Sequence, residues 1–461
     1  MFYNKSQFRV FSLLVLSISF LFVSIFSFSG SGSGTVPDPY EITTCLELQE
    51  IEDNLSANYE LLNDIDCSGI SDFRRLGNCT GSCSFGGDGV DFPFLGNFNG
   101  NGNSISNVNL TNLTSSDNGW GFFGFMTNNI VESVSLINVI INVPNANFSV
   151  GGLIGNSRFS LILNSSFSGS VSSLVADNVG GLIGYSDNSN ISNSYTLGTV
   201  VGDNLVGGLI GYGDRNNISN SYSSATVLGN DSIGGLVGYT SSSDILNSYS
   251  SGTVTGTTFV GGLTGYTYNS NILNSYSSSD VTGTTTVGGL VGSNEYYSFI
   301  LNSYSSGDVS GVNNVGGLIG QNIDSDINNS FTVSDDISGT LNVGSLIGVN
   351  NLSYDSQALI TNSYWLNTSN NPDVAISSNY TVQTVTPQTL LSYYYNTSNS
   401  PMNLWDSSIW NSTGLDLPYL IDVGDMIGGG SIISSTGSVT SLFPLGGIYI
   451  SLFIVLTYFL F

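Results

Sequence analysis

A six-residue cassette, Val-Gly-Gly-Leu-Ile-Gly and close variants of it, returns along this chain at a nearly fixed interval of 27 or 28 residues. Its copies begin at Val150, Val179, Val206, Ile233, Val260, Val287, Val315 and Val343. Each but the first is followed by a polar turn and then by Ile-x-Asn-Ser-aromatic, which starts at Ile191, Ile218, Ile245, Ile272, Ile300, Ile327 and Ile360. A period of this length means one structural unit stacked many times, because a unit so short cannot bury its apolar side alone. Stacks of this kind present long surfaces.

Within the unit the apolar positions are Val, Ile, Tyr and Thr, and the punctuation is Gly, Asn, Asp and Ser. That chemistry favours strands and turns over helix. Three short strands per unit are expected: Val179 to Tyr185, Ile191 to Tyr195, and a weaker piece at Gly198–Val201. Such a unit suits one rung of a parallel β-helix, with rungs rising by about 4.8 Å. The expected fold is all-β, a parallel β-helix of about ten rungs with a cap at each end.

The columns that stacking creates explain the residue choices. Val179, Val206, Val260 and Val287 are expected to line the core, as are Leu182, Leu209, Leu236 and Leu263. Asn193, Asn220, Asn247, Asn274, Asn302 and Asn329 form a column whose amides can bond from rung to rung. Strict alternation puts Ile191, Asn193 and Tyr195 on one side and Ser192 and Ser194 on the other. On that count the tyrosines at 195, 222, 249, 276 and 304 belong to the core. Facing outward, they would instead make a stacking ladder for sugars. The paired glycines, such as Gly180-Gly181, permit close backbone approach. No Lys or helix signal follows them, so a phosphate cradle is not the reading.

The GGL[IV]G and Ile-x-Asn-Ser-Tyr motifs together resemble the GLUG-repeat family of large bacterial and archaeal surface proteins. The resemblance spans residues 119–365, with Gly121-Phe-Phe-Gly124 as a degenerate first copy. Tyr59 to Asp66 and Phe98 to Asn107 look like the usual entry into such repeats. Trp405-Asp, Trp410-Asn and Leu417-Pro-Tyr-Leu420 look like the usual exit. The resemblance implies a right-handed solenoid and a place on the cell surface. Some family members carry a metalloprotease domain elsewhere in the chain, and this sequence shows no such motif.

Composition narrows the function further. Charged residues make up 8% of the chain, against roughly 25% in ordinary soluble proteins. Six cationic residues face 33 acidic ones and histidine is absent, for a net charge of −27. Nucleic acid needs a basic footprint, and there is none. Lack of histidine removes the usual general base of serine and cysteine nucleophiles. A glycosidase would need two carboxylates across the scissile bond. The candidate acids Asp187, Asp214, Asp244 and Asp324 fall where Asp is an ordinary turn residue. Calcium at such turns lacks the regular glycine-aspartate repeat of calcium-binding rolls. No catalytic residue, cofactor or metal is therefore assigned, and a non-enzymatic chain is expected.

Residues 1–29 read as a signal peptide or membrane anchor, with Lys5 and Arg9 ahead of the apolar run Phe11–Phe28. Residues 40–118 read as an N-terminal cap, 366–421 as a C-terminal cap and 428–441 as a linker. Residues 442–461 are mostly apolar, carry no charge and match the length of a transmembrane helix. All four cysteines, Cys45, Cys67, Cys79 and Cys83, precede the repeats. In an exported chain they suggest two disulfides, and sequence alone allows three pairings. Cys45–Cys67 with Cys79–Cys83 is favoured, Cys45 lying just before a short helix expected over Leu46–Leu55. Zinc on four thiolates is the competing reading.

Sequons at Asn54, Asn109, Asn112, Asn147, Asn164, Asn190, Asn217, Asn230, Asn351, Asn367, Asn379, Asn396 and Asn411 are candidate glycosylation sites. Asn, Ser and Thr are abundant enough to generate a similar number by chance. The expected role is adhesion or surface display through glycan or protein contacts. A structural envelope component and a polysaccharide-degrading β-helix are the alternatives.

Overall fold

The computed structural model describes residues 28–79, 91–111, 119–146, 148–351 and 359–378. It also describes 385–396, 398–400, 402–408, 410–411 and 417–420. The fold is a parallel β-solenoid of about nine turns, one fewer than the spacing suggests. One rung shows the plan. Asn204–Gly207 lies on face 1, Ile210–Asp214 on face 2 and Asn217–Ser219 on face 3. Tyr222–Ser223 and Thr226–Leu228 lie on face 4. The next rung repeats these strands in register, with Val206 beside Ile233, Ile210 beside Val237, Ile218 beside Ile245 and Tyr222 beside Tyr249.

The corners explain the polar spelling of the motif. Asn193, Asn220, Asn247, Asn274, Asn302 and Asn329 all adopt left-handed backbone, with φ of 49–51°. Asn tolerates that region better than other side chains do. The amide ladder expected from sequence is present from Asn247 onward: Asn274, Asn302 and Asn329 each donate Nδ2 to the Oδ1 of the preceding rung's Asn, at 3.1–3.3 Å, whereas the Asn220 oxygen has no partner. The residue after each Asn is a buried serine. Ser221 Oγ accepts from the Ser194 amide at 3.2 Å and donates to the Ser219 carbonyl at 2.8 Å. The same bonds recur through Ser248, Ser275 and Ser303, so the corner backbone stays satisfied away from water.

At the turn from face 1 to face 2 the rungs nearly touch. A Cβ on Gly208 would sit 2.0 Å from the Gly235 carbonyl oxygen, so only glycine fits there.

The core is built from the expected columns. Val179, Val206, Val260 and Val287 are fully buried, as are Leu182, Leu209, Leu236, Leu263 and the Ile218–Ile245–Ile272 column. Each such side chain contributes roughly 1.5–3 kcal/mol on leaving water.

At the N-terminal end, Tyr40–Ile42 and Tyr59–Leu61 begin the stack that face 3 continues. The expected helix is shorter than the sequence suggests. It runs over Cys45–Glu50 and tightens to a 3-10 turn at Ile51–Asp53. Thr44 caps it reciprocally with Glu47, and Leu48 and Ile51 are fully buried. Cys45 and Cys67 form a disulfide, which removes the zinc reading. Cys79 ends the strand Asn78–Cys79, whereas Cys83 lies outside the described residues, and with it the second pairing.

Among the described residues no helix is long and apolar enough to cross a membrane. The apolar runs before residue 28 and over 442–461 lie outside the described residues.

Candidate functional site

Two tyrosine columns run along the outside of the solenoid, and they differ in kind. The first is the column of the Ile-x-Asn-Ser-Tyr motif. Alternation places it in the core beside the isoleucines; the structure does bury Tyr222, Tyr249 and Tyr304, but in a second cluster apart from the isoleucine column. The left-handed Asn inserts a corner between Ile191 and Tyr195, so Ser194 turns inward and Tyr195 outward onto face 4. Tyr195, Tyr222, Tyr249, Tyr276, Tyr304 and Phe331 then stack at 4.8–5.0 Å with interplanar angles of 2–7°.

These ring faces are spent on one another. Tyr394 and Trp405 close over Phe331, and Trp410 packs against Tyr304. Trp405 Nε1 also donates to the Asn329 carbonyl at 3.0 Å. Burial holds the phenol of Tyr304 well above its usual pKa. This column is therefore a packing device that seats the C-terminal segment on the flank of the stack.

The second column was not singled out from sequence, although its signal is plain in hindsight. A tyrosine follows the last glycine of four consecutive cassettes, at Tyr185, Tyr212, Tyr239 and Tyr266. They are register partners on face 2, each half-buried. Here the stack is broken. Tyr212 lies 5.3 Å from Tyr185 at 55° and 5.1 Å from Tyr239 at 71°. Only Tyr239 and Tyr266 are parallel. Tilted, half-exposed rings keep part of their faces for a ligand.

Charge gathers beside these rings. Arg158, Asp187 and Asp214 occupy one column next to the tyrosines, on three consecutive rungs. Arg215, at the left-handed corner between faces 2 and 3, reaches Asp187 at 2.5 Å and Asp214 at 2.6 Å. The Arg158 guanidinium lies 5.7 Å from the centre of the Tyr185 ring. Further along, Tyr266 donates to Glu295 at 2.6 Å, and Ser293 donates to the other oxygen of the same carboxylate at 2.7 Å. Burial, then the Asp214 charge, pushes the Tyr212 phenol up to about 12. The tyrosines thus remain neutral donors across the physiological range.

Of the candidate acids only Asp324 lies at a turn, as expected; the other three lie in strands. Asp187 and Asp214 end face-2 strands, Asp244 begins a face-3 strand, and Asp324 is a buried corner residue with φ of 46°. Only Asp187 and Asp214 come together, and one guanidinium bridges both. Among the described residues no group of three acidic or cysteine side chains is arranged to hold a metal ion.

Of the sequons, Asn54, Asn109, Asn164, Asn190, Asn217, Asn230, Asn351 and Asn396 are exposed, and Asn367 is half-buried. Asn190 and Asn217 are register partners on neighbouring rungs. Asn411 lies in the strand Trp410–Asn411. Asn112, Asn147 and Asn379 lie outside the described residues.

The sequence matches the GLUG motif over residues 176–201, 202–228, 229–255 and 283–310. No curated protein matches the chain. Among solved structures it is similar to a Bacteroides ovatus protein provisionally assigned as an immunoglobulin A1 protease. That match has 17% identity and a TM-score of 0.41, over 85% of this chain and 95% of the other. A second similar structure is an IgA1 protease, at 16% identity and a TM-score of 0.37. It covers 63% of this chain, which spans 21% of that longer protein. Both neighbours bear the names of proteases, which stands against the expectation of a non-enzymatic chain, but the likeness assigns this chain no activity. Likeness at this level carries no residue roles across.

Proposed function

Starting from a chain that carries GLUG repeats on a β-solenoid, we propose that it is an exported surface module that works by contact. Face 2 is the contact surface and an extended glycan or a protein segment is the ligand. The observation that carries this reading is the broken tyrosine column at 185, 212, 239 and 266, flanked by Arg158, Asp187, Asp214 and Arg215. These are the only two arginines of the repeats, and both stand beside the same half-exposed rings. Rings and hydrogen-bonding groups repeated at the rung spacing suit a ligand that is itself a repeating chain. A place at the cell surface, with residues 442–461 as the membrane anchor, is part of the same proposal. The apolar character of that segment supports it.

The test uses the full-length chain, purified in detergent and mixed with fluorescent polysaccharides of several chemistries. Polymer size is then followed by chromatography. A shift to larger size that is lost in Tyr212→Ala supports contact through face 2. Shortened polymer would replace contact by catalysis. Unchanged polymer across the panel would leave a protein ligand as the contact.

A further inference from the structure

Resting on the contact reading, the strongest clue to ligand class is a cation of face 2 that, among the described residues, makes no ion pair. Arg215 is committed to two carboxylates. Arg158 is a register neighbour of Asp187, yet among the described residues it forms no salt bridge, and its Nε has no hydrogen-bond partner. Its guanidinium carbon lies 5.7 Å from the centre of the Tyr185 ring, and the side chain as a whole is half-buried. Asn156 shares the column of Tyr185 on the rung before it. It is 5% exposed, and its amide oxygen also lacks a partner. Nε is sealed from solvent, as is the Asn156 oxygen, so the terminal nitrogens of Arg158 are the donors left to a ligand. Their complement is a group with anionic oxygens, attached to a ring that lays an apolar face on Tyr212.

We propose that Arg158, Tyr185 and Tyr212 form a subsite for an anionic sugar, one bearing a carboxylate or a sulfate ester, within a longer glycan on face 2. Guanidinium recognition of such a group is bidentate and charge-assisted. The chain's net charge of −27 opposes the approach of any polyanion. Added salt screens that long-range repulsion more than it screens a half-buried contact. Binding should therefore strengthen as ionic strength rises from low to physiological, the reverse of a basic groove.

The experiment measures retention by the full-length chain of polygalacturonate against its methyl ester, and of dextran sulfate against dextran. The expected result is about tenfold tighter binding of at least one charged polymer than of its neutral partner. That preference is lost in Arg158→Gln and kept in Arg74→Gln. Which charged polymer is preferred tells carboxylate from sulfate. Equal binding of charged and neutral polymers would overturn the subsite while leaving face 2 as a contact surface. The same holds if the preference survives in Arg158→Gln. Loss of all polymer binding from the unaltered chain would overturn the subsite and the glycan part of the contact reading together. Circular dichroism of each variant separates lost binding from lost fold.

Discussion

The asparagine at each corner does two jobs that its sequence column shows only in part. It holds a left-handed backbone and it links its amide to the next rung. Alanine at such a site would lose the amide bond and incur left-handed strain, while glycine would lose only the bond. Asn247→Ala is therefore expected to destabilise by about 2 kcal/mol, and Asn247→Gly by about 1 kcal/mol. Thermal denaturation of the two variants side by side checks the order. If alanine proves the milder change, the corner is not held by backbone preference. The same corner residue decides which way the following tyrosine faces, so a local dihedral determines the use of an entire column.

At the scale of an element, the stacked column on face 4 acts as one body. Removing Tyr276 leaves a gap between two rings that lie parallel to it, at 4.9 and 5.0 Å. Tyr276→Ala should cost about 3 kcal/mol, as large aromatic deletions do, and should weaken the near-ultraviolet circular dichroism of the ladder.

The acidic column on the same face behaves in the opposite sense. Asp308 accepts from the Asp336 amide at 3.1 Å, and the Asp308 amide donates to Asp280 at 3.1 Å. Partial burial, together with Asp280, Asp336 and Asp335, raises the Asp308 carboxyl above its ordinary pKa. A raised carboxyl binds its proton more tightly when folded. Its favourable contribution is therefore complete below the unfolded pKa, near 4, and fades as pH rises through the folded value. Asp308→Asn should be more stable than the parent at pH 7, with the gap closing as pH falls below about 4. Urea denaturation at both pH values reads this directly. Equal stabilities at pH 7 would mean that the column carries no net repulsion.

At the scale of the molecule, stability is close to a sum over rungs and their interfaces. Deleting residues 229–255 joins Leu228 to Gly256 and brings Asp203–Gly207 beside Thr257–Gly261, so each face meets its own kind. That variant should keep its β-sheet circular dichroism and a cooperative melt. Deleting only 229–241 would set unlike faces against each other and should abolish folding. If both deletions fold, register does not govern this stack.

Much of this was legible beforehand: the period, the strand chemistry, the valine and leucine core columns and the amide ladder follow from residue type and spacing, whereas Cys45–Cys67 belonged to one of three pairings that the sequence allowed. Those properties repeat along the chain, and repetition survives in one dimension. The outward turn of Tyr195, the break in the stack at Tyr212, and the choice of Arg215 over Arg158 as partner for Asp187 and Asp214 do not. Each depends on the direction a side chain takes after a corner, and on which neighbour a charge from the adjoining rung can reach. Alternation counts residues and is blind to a change of direction, so only the closed rung decided them.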